Sequence, residues 1–289
     1  MTARLLDGRE LASHLRRELQ LRVQRLTDGD PSSAPRLAIL RSGTDQAAAL
    51  YAASLERAAR SIGIEALSLT EDAEPMLETI DRLNSNPGVA GIVIAQPLAD
   101  AEHGRRVVER IDPAKDVDGA TPTNAGWLAR GQPAFVPATA LAVIAILEAY
   151  DIPVAGRRAV IIGRSAVVGR PVASLLVARD ATVVICHRAT RNLASETRRA
   201  EILVVAAGVP GLVRAEMVNR SSVIVDCGIN AGAGGIVGDV EFATVASIVK
   251  AISPVPGGVG PVTPMMVLLQ TVESAERAAS ARERASVRA

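Results

Sequence analysis

Short runs of β-branched and aliphatic residues alternate along the chain with longer segments that carry apolar residues at helical spacing. Strands separated by helices in this way must pair in parallel, so the alternation confines the chain to an α/β fold with largely parallel sheets. The strand-like runs are 36–40 (RLAIL), 66–69, 91–94 (GIVI), 159–162, 182–186 (TVVIC), 202–206 and 223–225. The spacing predicts helices over 10–26, where Leu11, Leu15, Leu19 and Val23 recur four residues apart, and over 45–62, closed by Gly63. Further helices are predicted over 76–84, 107–111 and 171–179, and from Thr139, read as an N-cap, to Tyr150. A last helix should pass through Met266 and Leu269. Two stretches break the rhythm: 112–132, rich in Asp, Pro, Thr, Asn and Gly, and 254–263. The first is either a long functional loop or a domain junction.

Composition narrows the partners. Aromatic residues make up only 2% of the 289 residues, so the core must be built from Ala, Val, Leu and Ile. A net charge of +1 gives no global attraction for nucleic acid or a membrane surface. The N-terminus is charged almost at once, and the apolar stretch 138–147 is too short to span a bilayer, so a cytoplasmic protein is expected. Cys186 and Cys227 sit in strand-like runs and are expected to be buried, reduced thiols; no metal site is expected. The last dozen or so residues, ending in ARERASVRA, are polar and arginine-rich, and order is expected to fail there.

In the second half, AVIIGRSAVVGRP places a loop between a strand and a helix, as a doubly wound nucleotide-binding unit does. Gly163 suits the tight turn, Gly169 would let backbone approach a pyrophosphate, and the helix start offers free N–H groups to an anion. Ser165 takes the place of a second glycine, and by itself the pattern also fits an ordinary strand–turn–helix corner. The next strand ends in Cys186-His187-Arg188-Ala189-Thr190-Arg191 without the carboxylate that would read an NAD ribose. Arg164, Arg188 and Arg191 could instead meet a 2′-phosphate, which favours NADP, although a solvated basic turn would look the same.

KDVDG (115–119), GRSAVVGRP (163–171), VIVDCGIN (223–230), GDV (238–240) and PVPGGVGPVT (254–263) occur in an order and spacing that resembles the methylenetetrahydrofolate dehydrogenase/cyclohydrolase family over essentially the whole chain. The resemblance implies two α/β domains with a cleft between them. Residues 1–138, completed by the C-terminal helix 262–289, would form the folate-binding domain, and 139–261 a Rossmann-type domain holding NADP. It implies oxidation of 5,10-methylenetetrahydrofolate to the methenyl form, hydrolysis of that product in many members, and a homodimer paired through the Rossmann domain. By position, Asp118 matches the aspartate that hydrogen-bonds the pterin, and Tyr51 the tyrosine of the Y-x-x-x-K motif in the folate pocket. Pro256, Gly257 and Gly258 match the loop over the substrate. Gly163, Arg164, Ser165, Gly169, Arg188, Arg191 and Ile229 fall at the cofactor.

Three positions depart from that pattern. The motif's lysine corresponds to Leu55, and Arg57 would project about 200° around a helix from Leu55. The glutamine of G-I-L-V-Q-L-P-L-P corresponds to Ala95, with Gln96 one place later on what would be the other face of the strand. P-C-T-P has become Pro137-Ala138-Thr139-Ala140. Leu55 can neither accept nor donate a proton, and none of His14, His103 and His187 falls in a matched motif. Hydride transfer is therefore expected to persist and hydrolysis to be weak or absent. Two other readings share the scaffold: a specialised paralogue acting on a modified folate, with Trp127 near an altered pocket, and an inactive folate- or nucleotide-binding regulatory subunit.

Overall fold

A computed structural model describes residues 3–27, 34–41, 45–70, 75–95, 98, 100–232 and 234–286. The first half of the chain runs β1 (Arg4–Leu5), α1 (Gly8–Thr27), β2 (Arg36–Arg41), α2 (Gln46–Ser61), β3 (Glu65–Thr70), α3 (Met76–Ser85), β4 (Val89–Ala95), α4 (Ala101–Arg110) and α5 (Pro122–Ala129). The second half runs α6 (Ala138–Ala149), β5 (Arg158–Ile162), α7 (Gly169–Val177), β6 (Thr182–Cys186), α8 (Leu193–Thr197), β7 (Ile202–Val205), β8 (Val223–Asp226), β9 (Asn230–Gly232), β10 (Gly235–Val237), α9 (Phe242–Val245), β11 (Ala251–Ile252) and α10 (Val259–Ser286). The chain divides into two compact α/β units, one of Met1–Ala12, Leu128–Gln132 and Pro137–Thr263, the other of Ser13–Trp127, Pro133–Val136 and Pro264–Ala289. No described helix is long and apolar enough to cross a membrane.

The unit containing residues 13–127 is built on a parallel sheet in the order β3-β2-β4. β2 and β4 are apolar on both faces, as covered parallel strands require, while the edge strand β3 exposes Glu65 and Ser68; Ala38, Leu40, Ile92 and Ile94 pack with Ile80 of α3 and Val107 of α4. α2 starts where the Asp45 carboxylate accepts from Ala48 N at 2.7 Å. Its buried stripe is Ala48, Ala52, Leu55, Ala59 and Ile62, at the three- and four-residue steps of a helix face. Past α4 the chain returns along β4, with Asp116 bridged in parallel to Ile92.

The other unit carries a parallel sheet in the order β1-β11-β8-β7-β5-β6. Its core on one face joins Val160, Ile162, Leu203, Val205, Ile224 and Ile252, with no aromatic side chain among them. From β5 the chain moves outward to β6 and then returns to place β7 on the other side of β5, so the strand order reverses between β5 and β7. Open α/β sheets bind ligands beyond the carboxyl ends of the strands at such a switch point.

The expected strands and long helices are present, with ends shifted by a few residues, and the differences have physical causes. The stretch 112–132 contains α5, which begins at Pro122 with Thr121 Oγ1 accepting from Asn124 N at 3.3 Å. Thr-Pro at a helix start was a legible signal that the surrounding turn residues obscured. Thr139 is not an N-cap: α6 starts at Ala138 after Pro137 and has no side-chain cap. The stretch 254–263 is irregular only to Gly258, because α10 starts at Val259; Pro261, in its first turn, has no N–H to lose there. The arginine-rich end is helical to Ser286, since Ala, Arg and Glu are strong helix formers and Arg282 donates to Pro87 O at 2.8 Å. Residues 287–289 lie outside the described residues.

One side chain of α10 ties together three separate segments of the unit containing residues 13–127. Gln270 is buried, and its Nε2 donates to Val117 O at 2.7 Å and Val136 O at 2.8 Å while its Oε1 accepts from Val136 N at 2.8 Å. Gln270→Leu leaves three buried backbone groups unpaired and should cost about 3 kcal/mol, at about 1 kcal/mol or more for each. The urea midpoint measures it; a loss under about 1 kcal/mol would contradict this role.

Candidate functional site

At the carboxyl end of the small sheet, Arg41 of β2 and Ala95 of β4 are neighbours in register. Ala95 is wholly buried; Gln96 lies outside the described residues. The adjoining segment 115–119 is fixed residue by residue. Lys115 Nζ donates to the carbonyls of Leu83, Asn84 and Asn86 at 2.9, 2.7 and 2.7 Å, closing the carboxyl end of α3 with a positive charge. Asp116, 1% exposed, accepts from Ala120 N, Thr121 N and Asn124 Nδ2 at 2.9, 2.8 and 2.8 Å and so secures the start of α5. Gly119 has φ +57°, and a Cβ there would strike the backbone of Phe135 and Val136. Between these anchors Asp118 remains partly exposed.

Asp118 acts electrostatically on Tyr51. Burial, and then the Asp118 charge, push the Tyr51 hydroxyl well above its ordinary range, so at neutral pH it is a neutral phenol that can donate a hydrogen bond. Leu55, one helical turn along α2, is 0% exposed, whereas Arg57 is exposed. The structure thus brings Tyr51 and Asp118 together and leaves Arg57 on another face of the helix.

In the larger sheet, the loop after β5 turns at Gly163 with φ +121°, and a Cβ there would meet Ala206 O. The close approach that Gly169 makes is to the Gly163 carbonyl, which folds the loop onto itself. Ser165 Oγ accepts from Val168 N at 3.1 Å. Beyond β6, His187 N donates to Thr190 Oγ1 at 2.8 Å and Thr190 N to His187 O at 2.7 Å, forming a tight turn that carries Arg188 and Arg191 outward. Arg164, Arg188 and Arg191 are all exposed and have no carboxylate partner among the described residues. Ile229, in the loop after β8, is 72% exposed. Cys186 and Cys227 are free, and burial pushes both thiols up, so they stay protonated at neutral pH.

Pro256, Gly257 and Gly258 follow a cis Val255–Pro256 bond in the larger unit. The loop is braced by the N-terminal turn, with Gly8 N donating to Gly257 O at 2.8 Å and an Arg9 guanidinium N–H to Pro256 O at 3.3 Å.

Arg9, Asp116, Gln270, Asp226 and Asp239 were not identified from sequence as residues that shape these loops. Asp226 and Asp239 stood in the quoted motifs VIVDCGIN and GDV, but nothing in a motif shows that its aspartate is buried. A groove of about 960 Å³ at the opposite end of the small sheet is lined by Arg36, Lys115, Arg277 and Arg282. Its cations are already engaged, by Glu65, three carbonyls, Glu273 and Pro87 O respectively.

A doubly wound nucleotide-binding sheet and a second α/β unit in which Asp118 acts electrostatically on Tyr51 define a two-part, nucleotide-linked enzyme class. The chain belongs to the tetrahydrofolate dehydrogenase/cyclohydrolase family: the family's catalytic-domain profile matches residues 6–118 and its NAD(P)-binding-domain profile residues 137–279. It is 42% identical to the bifunctional protein FolD of Bordetella bronchiseptica, over 97% of this chain and 100% of that one. The crystal structure of the bifunctional enzyme FolD, a methylenetetrahydrofolate dehydrogenase/cyclohydrolase from Campylobacter jejuni, matches with a TM-score of 0.90 and 40% identity, covering 94% of this chain and 98% of that one. The Trypanosoma brucei N5,N10-methylenetetrahydrofolate dehydrogenase-cyclohydrolase, complexed with NADP cofactor and inhibitor, matches with a TM-score of 0.89 and 32% identity over 100% of both chains.

Burial pushes the Asp226 carboxyl up to about 6, against three backbone N–H donors that lower it and with the neighbouring Asp239 charge adding to the rise. A raised carboxyl pKa contributes stability that is complete below about pH 4 and is lost as pH rises through about 6. Asparagine does not titrate, so the cost of Asp226→Asn should shrink by about 2–3 kcal/mol between pH 4 and pH 7. Denaturant unfolding of both proteins at the two pH values measures this, and a cost independent of pH would count against the raised pKa.

Proposed function

We propose that this protein is an NADP-dependent 5,10-methylenetetrahydrofolate dehydrogenase that releases the methenyl product with little or no hydrolysis. The observation that carries the reading is Leu55: where the family motif Y-x-x-x-K has lysine, this chain has a wholly buried aliphatic side chain one turn from Tyr51. In this reading the unit of Ser13–Trp127, Pro133–Val136 and Pro264–Ala289 is the folate-binding part, and the unit of Met1–Ala12, Leu128–Gln132 and Pro137–Thr263, whose sheet takes in β1, is the cofactor part, in a cytoplasmic homodimer paired through the latter.

Asp118 can accept hydrogen bonds from adjacent pterin N–H groups, because a carboxylate offers two oxygens to two donors. Its position is set by Lys115, Asp116 and Gly119 around it, so the pterin is oriented by a preformed loop. Tyr51 keeps its proton and serves as a neutral wall and hydrogen-bond donor, not as a base. The bridging carbon loses hydride, and the flanking folate nitrogens stabilise the cation that remains, so no protein base is needed for that step. Bound NADP supplies the hydride acceptor. Arg164, Arg188 and Arg191 fit a 2′-phosphate in number and charge, as unpaired guanidiniums at the carboxyl edge of β5 and β6. Hydrolysis of the methenyl cation differs, because water must be activated and protons moved, work worth about 10²–10⁴-fold in rate. Neither Leu55 nor Ala95 can do that.

With 5,10-methylenetetrahydrofolate and NADP, reduced cofactor and methenyl product should rise together in equal amounts. Leu55→Lys/Ala95→Gln should add methenyl hydrolysis at about 10² times the wild-type rate. Folate binding without cofactor reduction would show instead that the scaffold serves another substrate. Arg188→Ala/Arg191→Ala should raise the KM for NADP about tenfold and leave that for NAD unchanged, at about 1.4 kcal/mol of lost phosphate contact. Equal loss toward both cofactors would refute the 2′-phosphate role.

A further inference from the structure

Resting on the cofactor reading above, we propose that Asp239 is a positioning residue for NADP, acting through the loops that follow β7 and β8. Asp239 is 0% exposed and so acts through the groups it holds. Its Oδ2 accepts from Ala207 N at 2.6 Å and Gly208 N at 2.8 Å, and its Oδ1 from Asn230 Nδ2 at 2.8 Å. Ala207 and Gly208 lie just beyond β7, on the side of β5 where the strand order reverses, and Ala206 O already touches the Gly163 turn. Asn230 begins β9, directly after the exposed Ile229.

One carboxylate therefore fixes both loops on the β7–β8 side of the switch point, where a dinucleotide would lie. It is itself held from below. Asp226, the last residue of β8, accepts from Gly228 N at 2.8 Å, Asp239 N at 3.1 Å and Val240 N at 3.0 Å. The chain of support runs from the strand end to Asp226, from there to the backbone of Asp239, and from the Asp239 side chain to the two loops. These amides face inward and meet no ladder partner, so without Asp239 they must seek water and the loops must shift.

The geometry supplies its own control. Asparagine at 239 can accept from Ala207 N and Gly208 N with its oxygen, but then turns its amide toward the Asn230 amide, donor against donor. Exchanging the two residues, Asn230→Asp with Asp239→Asn, restores a donor facing an acceptor; only the weaker 3.3 Å bond from Asn230 to Val237 O is lost.

The test uses the full-length protein, with NADP affinity by direct titration and KM for both substrates. Asp239→Asn should raise the KM for NADP about tenfold, with kcat and the folate KM within about twofold. Asn230→Ala should shift the NADP KM the same way by about threefold, and the exchange should bring it back to within about threefold of the parent. An unchanged NADP KM in Asp239→Asn, parallel rises for both substrates alongside a lower melting temperature, or an exchange that recovers nothing would each overturn the inference. Failure of the unaltered protein to bind NADP, seen before any variant is made, would overturn the cofactor reading and take this inference with it.

Discussion

Parallel strands satisfy their own backbone groups along the ladder, but the loops leaving their carboxyl ends do not. In this protein side chains take up such groups around both sheets: Lys115 for the carbonyls ending α3 ahead of β4, Asp116 for the amides opening α5, and Gln270 for Val117 and Val136. Asp226 and Asp239 do the same for the loops after β7 and β8. An ion or amide in the interior is tolerable only when its hydrogen-bonding capacity is used, and each of these is. The loops that would bind ligand owe their shape to these few groups.

The architecture was legible because the strands are continuous apolar runs that leave little ambiguity, even at the sheet edge, where the run 182–186 is β6 residue for residue. The helices over 45–62, closed by Gly63, and 76–84 are both present, as α2 and α3. What escaped were features whose meaning is set by distant partners. α5 lay inside a stretch whose Asp, Thr and Asn read as loop, yet Asp116 and Asn124 are there because they bond each other and the backbone around them. Gln270 sits on a helix in which a polar residue reads as surface, and only a neighbour more than a hundred residues away makes it a core residue.

The site followed the same division. Tyr51 and Asp118 were named from motif positions, and Asp118 acts electrostatically on Tyr51. The supports of Asp118 were invisible because the surrounding motif residues resemble turn formers. Leu55 is the informative contrast. On α2 it continues the buried stripe of alanines, so a leucine there suits the fold, and in the function proposed above what it removes is chemistry. Hydride loss from a carbon between two nitrogens asks for orientation, which Asp118 and its anchors can supply. Attack by water asks for a proton acceptor in the same place, which a buried aliphatic cannot provide.

The most direct measurement of that claim presents the product alone. Methenyltetrahydrofolate is mixed with the protein, without nicotinamide cofactor, and its absorbance is followed at neutral pH against buffer. The account predicts the same decay in both cuvettes, the protein binding the cation without consuming it. Decay accelerated by about 10²-fold or more would mean that hydrolysis proceeds without the lysine, and that Leu55 does not separate the two reactions.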